Sequence, residues 1–167
     1  TVTQINDPPS GTTDIIEVNE GGTATLTTAS ISSVISNDID PEGDNLTASR
    51  VSNVNNGSLS FTASGTFSYV HDGSETTTDT FTYRINDGIA FSNPVTVTIN
   101  IIPISDPPVT VIDLLNVNEA GTVTLTSSGS STLLSNDTDI EGDALSAIIV
   151  THPLYGSLTL NPNGTFS

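Results

Sequence analysis

The chain has 167 residues, with 19 acidic side chains against two arginines and a formal net charge of −17. That balance argues against nucleic acid as a partner, and the lack of cysteine, methionine, tryptophan and any long apolar run excludes a disulfide scaffold, a thiolate metal centre and a membrane-inserted helix. There is room for one ordinary domain or two small ones, and the hydroxyl-rich, thiol-free make-up suits a secreted protein whose targeting segment lies outside this stretch.

In chain order, residues 1–5 read as the last strand of a preceding unit, followed by the stiff linker Asp7-Pro8-Pro9. Period-two alternation then predicts strands at 14–18, 23–28, 46–54, 57–62, 65–70, 79–86 and 94–103, with turn signals at 55–57, 63–65 and 86–88. The stretch 31–36 is ambiguous and allows a single helical turn. Phe67, Tyr69, Phe81, Tyr83, Ile85, Val95, Val97, Ile99 and Ile101 fall on the inward face of these strands, so the aromatics are core rather than a sugar-stacking platform. About seven short strands in roughly 100 residues make a Greek-key β-sandwich of the Ig-like kind.

At residue 105 the pattern restarts. Residues 105–167 repeat 6–68 at a constant offset of 99, with about half the positions identical, so the chain is a tandem repeat. The expected organisation is a complete unit at 6–104 and a truncated second unit at 105–167 that lacks counterparts of 69–104. Unpaired edges of that half invite pairing with another copy of the chain.

Eight of the nineteen acids sit in two copies of one loop, SNDIDPEGDNL and SNDTDIEGDAL: Asp38, Asp40, Glu42, Asp44, Asp137, Asp139, Glu141 and Asp143. Acids at the first, third and fifth positions with glycine at the sixth resemble the start of an EF-hand loop, but Ser49 stands where the bidentate glutamate belongs and strand-like residues follow. The coordination logic survives, because alternate carboxylates plus a turning glycine converge oxygens on one ion. Oxygen ligands alone, with His71 and His152 remote in sequence, select calcium over zinc or copper. In a sandwich the loop before the last strand, with Asp87, meets this loop and the incoming linker. The candidate ligands are therefore Asp7, Glu20, Asp38, Asp40, Asp44 and Asp87, and in the second copy Asp106, Glu119, Asp137, Asp139 and Asp143.

The joined motifs SNDIDPEGDNL, GSLSF, SGTFSYVHDGSETTTDTFTYRINDG and NPVTVTI resemble the bacterial cadherin-like repeat of large surface adhesins, and YVHDGSETTTDTFTYRINDG is also similar to chondroitin-sulfate-proteoglycan-type repeats. The resemblance implies an extracellular, calcium-stiffened array whose partners are neighbouring repeats of the same chain, with any glycan or surface ligand held by other domains. It carries over onto Asp7 and Asp106 as linker acids and onto the two acidic loops, although Ser105 replaces the usual asparagine before Asp106.

Two rivals stand beside that reading. An enzyme would need an activated nucleophile; His71-Asp72 is present, but no Gly-x-Ser-x-Gly elbow is. A carbohydrate-binding module would use the sandwich, yet the unit offers no tryptophan and its aromatics read as buried. The sequons at Asn45, Asn56, Asn136 and Asn163 are chance-level in so Ser/Thr-rich a sequence.

Overall fold

The computed structural model describes residues 5–167, which divide after Ile104 into two compact units. Unit 1 is a seven-stranded β-sandwich: β1 Asp14–Asn19, β2 Thr23–Ala24, β3 Thr47–Arg50, β4 Gly57–Phe61, β5 Phe67–His71, β6 Thr78–Asn86 and β7 Val95–Ile102. One sheet has the order β1-β7-β6-β3 and the other β2-β5-β4. The β1–β7 pair is parallel, with Asp14 opposite Val97 and Asn19 opposite Ile102, whereas the remaining pairs are antiparallel.

The alternation seen in the sequence becomes alternation of burial. Along β6, Phe81, Tyr83 and Ile85 are fully buried while Thr80 and Arg84 are exposed; along β7, Val97 and Ile99 are fully buried. Phe61 packs edge-on against Phe81 with ring centroids 5.7 Å apart. The inner faces of the two sheets thus form one core joined by Ile16, Val34, Tyr69 and Tyr83.

Two strands are shorter than their apolar runs predict. The second stops at Ala24 because the Thr27 and Ile31 region closes on itself: Ser30, at φ +62°, donates to the Thr27 carbonyl and Thr27 to that of Ile31. The third stops at Arg50, where Val51 and Ser52 both donate to the Thr82 carbonyl, a bulge that ends the ladder. The ambiguous stretch resolves into a single 3-10 turn, Val34–Asn37, directly before the acidic loop. The strand expected at residues 1–5 falls outside the described residues for 1–4; Ile5 is not in a strand.

Unit 2, Ser105–Ser167, keeps the local closures of unit 1 and none of its named strands. The bridges Ser10–Ile39 and Ser33–Thr66 recur as Val109–Thr138 and Thr132–Thr165, and the 3-10 turn recurs as Leu133–Ser135. In unit 1, β1 pairs with β7 and β3 with β6, and residues 105–167 hold no counterpart of β6 or β7. Residues 113–118 and 146–149, which match β1 and β3 at the repeat offset, lie in no named strand. No helix among the described residues is long and apolar enough to cross a membrane.

Candidate metal centre

The acidic loop of unit 1 is tied to the incoming chain by backbone hydrogen bonds. Ser10 and Ile39 exchange N–H···O=C bonds of 2.8 and 3.0 Å, the Thr12 N–H donates to Asp38 Oδ1 at 2.8 Å, and the Asp7 N–H donates to Glu42 Oε2 at 3.1 Å. Within the loop, Asp40 Oδ1 accepts from the N–H groups of Glu42 and Asp44, both at 3.0 Å, and Gly43, at φ +81°, closes the turn. Asp87, on the loop between β6 and β7, joins through Asn6, whose amide donates to Asp87 Oδ2 at 2.9 Å. The entering chain thus meets the acidic loop through Asp7 and Asp38, Asp40 and Asp44 meet within that loop, and Asp87 is joined to the entering chain through Asn6.

Glu20 does not join them. Asp14, at the start of β1, takes a hydrogen bond from Asn37 beside the loop, whereas Glu20 follows the far end of that strand, roughly 17 Å along. There its carboxylate accepts from the Ile104 N–H at 3.2 Å and lies within 4.8 Å of Glu75. Glu119 occupies the equivalent turn of unit 2, closed by the Gly121 N–H on the Asn118 carbonyl as Gly22 closes on Asn19.

Electrostatics in the unit 1 site are set by burial without a counter-charge. Tyr83 is fully buried and its hydroxyl faces three acceptors, Asp38 Oδ2 at 2.9 Å, the Val34 carbonyl at 3.0 Å and Asp14 Oδ2 at 3.4 Å. One hydroxyl hydrogen cannot serve all three. Burial, then the neighbouring Asp38, raise the Asp14 carboxyl to about 6, and burial also pushes Asp38 up against the pull of the Thr12 N–H and the Tyr83 hydroxyl. The Tyr83 phenol is itself driven upward by burial and by Asp38. Asp87 moves the other way, held below the usual carboxylate range by the Ala90 N–H, the Asn6 amide and the Ile89 N–H. Arg50 is turned away from the loop, donating to Asn53 Oδ1 at 3.0 Å and to the Leu59 carbonyl at 3.2 Å.

The residues fit a hard cation. Asp40 is buried, and its Oδ2 has no hydrogen-bond partner; in unit 2 the same is true of Glu141 Oε2. Such orphaned carboxylate oxygens are costly unless something positive meets them. In unit 2 four of the five candidate acids, Asp106, Asp137, Asp139 and Asp143, line one cavity of about 290 Å³, and Glu119 is not among its lining. Its Asp106 N–H donates to Glu141 Oε1 at 2.7 Å and its Asp143 N–H to Asp139 Oδ1 at 2.9 Å, repeating the pattern of unit 1. With oxygen donors alone on offer, the set suits calcium.

Sequence reasoning missed Asp14 as part of this site and Glu75 as the neighbour of Glu20, and it named Glu42 in the acidic loop without placing it among the candidate ligands. For Asp14 a signal existed, since it recurs as Asp113 at the repeat offset.

The His71–Asp72 pair does not have the arrangement of a base and its orienting acid. His71 Nδ1 accepts from the Gly21 N–H at 3.1 Å and the Gly73 N–H at 3.3 Å, which leaves Nε2 as the protonated nitrogen toward Thr76 Oγ1 at 3.0 Å. Nε2 therefore cannot take a proton from that hydroxyl, and Asp72 sits on the Nε2 side rather than behind the ring. Tyr69, Phe81 and Tyr83 are fully buried and offer no stacking surface to a sugar, whereas Phe91 and Tyr155 are exposed and depart from the expectation that the aromatics are core.

Residues 6–103 match the family described as bacterial cadherin-like domain, and residues 105–167 match the bacterial Ig domain. Among solved structures, the EC1-2 fragment of human protocadherin-24 is similar at a TM-score of 0.56 and 15% identity, over 97% of this chain and 77% of that one, which bears on the fold alone. A nucleoside hydrolase-related protein of Saccharophagus degradans associated with carbohydrate metabolism gives a TM-score of 0.37 at 21% identity, over 58% of this chain and 26% of that one. An endo-fucoidan hydrolase of glycoside hydrolase family 107 gives 0.35 at 19%, over 57% and 14%. At those scores neither hydrolase bears on what this chain does. No curated protein matches the sequence.

Proposed function

Because the chain belongs to the bacterial cadherin-like domain family, matched over residues 6–103, we propose that it is a non-enzymatic, extracellular spacer or adhesion module whose acidic loops bind calcium. The observation that carries the reading is the buried, partnerless Asp40 Oδ2 in a loop whose other carboxylates have no cationic neighbour. Asp38, Asp40, Asp44 and Asp7 supply oxygens at the point where the chain enters the unit, and Asp87 adds another from the β6–β7 loop. A cation there replaces mutual repulsion of roughly 1 kcal/mol or more per close pair with attraction. It also fastens the linker, since the Asp7 and Thr12 amides already grip Glu42 and Asp38. Unit 2 repeats the arrangement with Asp106, Asp137, Asp139 and Asp143. Successive units fastened in this way act as a stiffened rod between a cell surface and a ligand-bearing domain.

The test is thermal unfolding in calcium, magnesium and chelator, for the natural chain and for Asp40→Asn. The asparagine keeps Oδ1 for the Glu42 and Asp44 amides but removes the charge. Calcium at about 100 times its Kd stabilises the folded unit by about 2.7 kcal/mol, magnesium by less because it tolerates irregular carboxylate cages poorly. Asp40→Asn should melt like the natural chain in chelator and lose most of the calcium response. Superimposable melting curves in calcium and chelator would falsify the proposal.

A further inference from the structure

Tyr83 carries a hydroxyl from the core to the acidic pole of unit 1 and holds it there. It lies on the inward face of β6, opposite Val95 of β7 on one side and Arg50 of β3 on the other. The ring is fully buried and tilted against Phe61, with centroids 6.0 Å apart. With backbone and ring both held by close packing, the freedom left to the group is rotation of the hydroxyl hydrogen about the C–O bond.

Three acceptors surround that hydrogen, and they are unequal. Asp38 Oδ2 at 2.9 Å and Asp14 Oδ2 at 3.4 Å are carboxylate oxygens, whereas the Val34 carbonyl at 3.0 Å is neutral. A hydroxyl donates preferentially to the nearer charged oxygen, which is that of Asp38. The other oxygen, Asp38 Oδ1, takes the Thr12 N–H at 2.8 Å. The carboxylate is thus gripped at both ends, by β6 from the core and by the entering chain, and each oxygen keeps a second lone pair. Asp14 stands ready as the alternative acceptor. The Asn37 amide orients it through Oδ1 at 3.2 Å, and the corresponding pair, Asn136 and Asp113, recurs in unit 2 at 3.4 Å.

We propose that Tyr83 is a positioning residue for calcium binding: its hydroxyl fixes the Asp38 carboxylate, and its hydrogen turns to Asp14 when a cation takes up the Asp38 charge. This rests on the calcium reading above and adds to it the route by which the ion is felt in the core. A carboxylate whose charge is met by a cation is a weaker acceptor, while Asp14 still offers a charged oxygen. The hydroxyl reaches it by rotation, with no movement of the ring. Ion binding in the loop is thereby coupled to the start of β1 through a side chain of β6. Hydrogen bonds that orient ligating carboxylates in this way are worth about 10–100-fold in metal affinity.

The test titrates calcium by calorimetry into the natural chain and into Tyr83→Phe, Tyr69→Phe and Asp14→Asn at about pH 8, where both carboxylates are ionised, with tyrosine difference absorbance recorded over the same range. The heat and the tyrosine signal that Asp40→Asn removes identify the unit 1 site. Tyr83→Phe should weaken that site about 10–100-fold. Tyr69→Phe is the matched control, because its buried hydroxyl serves the Asn56 carbonyl and Asp79 instead, and its affinity should equal that of the natural chain. The tyrosine signal should saturate with the heat, persist in Tyr69→Phe, vanish in Tyr83→Phe and shrink in Asp14→Asn, where a neutral amide oxygen replaces the charged acceptor. No calcium binding by the natural chain overturns the calcium reading and this inference with it. Binding by Tyr83→Phe at natural affinity, or a loss in Tyr69→Phe as large as in Tyr83→Phe, overturns the positioning role and leaves the calcium reading standing. A tyrosine signal that survives in Tyr83→Phe, or that is full-sized in Asp14→Asn, overturns the turn of the hydroxyl. If Tyr83→Phe does not fold, the Asp14→Asn signal decides by the same criterion.

Discussion

Replacing Asp14 by asparagine tests the electrostatics of the buried Asp14–Tyr83–Asp38 group. Asp14 accepts from Asn37 at 3.2 Å and faces the Tyr83 hydroxyl at 3.4 Å, which already sits 2.9 Å from Asp38. The folded carboxyl titrates at about 6 against an ordinary 3.8, through burial first and Asp38 second. A proton held more tightly in the folded state stabilises it fully below about pH 4, and that contribution is lost as the pH rises through about 6. At about 1.4 kcal/mol for each pH unit the upper bound is about 3 kcal/mol, which solvent screening reduces to about 1–2 kcal/mol. Asp14→Asn keeps the shape, removes the charge and can donate to Asp38, so in chelator at pH 7 it should stabilise unit 1 by that amount, or roughly 5–10 °C. Far-UV circular dichroism reads unit 1 directly, because the named strands all lie there. The difference between variant and natural chain should shrink between pH 6 and 4. A variant that melts lower at pH 7 in chelator, or a difference that is the same at pH 4 and pH 7, refutes the reasoning.

Asp79, 4% exposed, gathers the Asn55 and Asn56 amides at 3.1 and 2.8 Å and the Tyr69 hydroxyl at 3.2 Å; Asp79→Ala should cost about 3 kcal/mol in urea titration by stranding buried donors, and an unmoved midpoint would show that water replaces the carboxylate. Gly57 faces His71 in the β4–β5 ladder with no room for a side chain, since a Cβ there would lie 2.2 Å from the Val70 carbonyl oxygen. Gly57→Ala should therefore destabilise unit 1 by about 2 kcal/mol or more and speed hydrogen exchange at the amides of β4 and β5. Exchange rates like those of the natural chain would show that the ladder yields at little cost.

The strand faces were legible because alternation is a local property. Phe81, Tyr83 and Ile85 had to lie on one side of their strand wherever it ended up, and the fully buried trio is the result. The acidic loop was legible for the same reason. Its turn is closed by contacts two to four residues apart, Glu42 and Asp44 on Asp40, and the Gly43 N–H on the Asp40 carbonyl recurs at 3.2 Å as Gly142 on Asp139. Strand ends were less so, since the turn at Ser30 and the bulge at Val51 depend on carbonyls offered by Ile31 and Thr82.

Sequence by itself determined the repeat, the inward and outward faces and the acid-rich turns, all of which are encoded within a few residues. Tertiary structure alone decided that Glu20 lies at the opposite pole from Asp38 and that Asp14 and Tyr83 enter the site. The physical reason is the reach of the interactions. A loop supplies its own hydrogen-bond partners, whereas β1 exists because β7, some eighty residues away, satisfies its backbone and covers Ile16 and Val18.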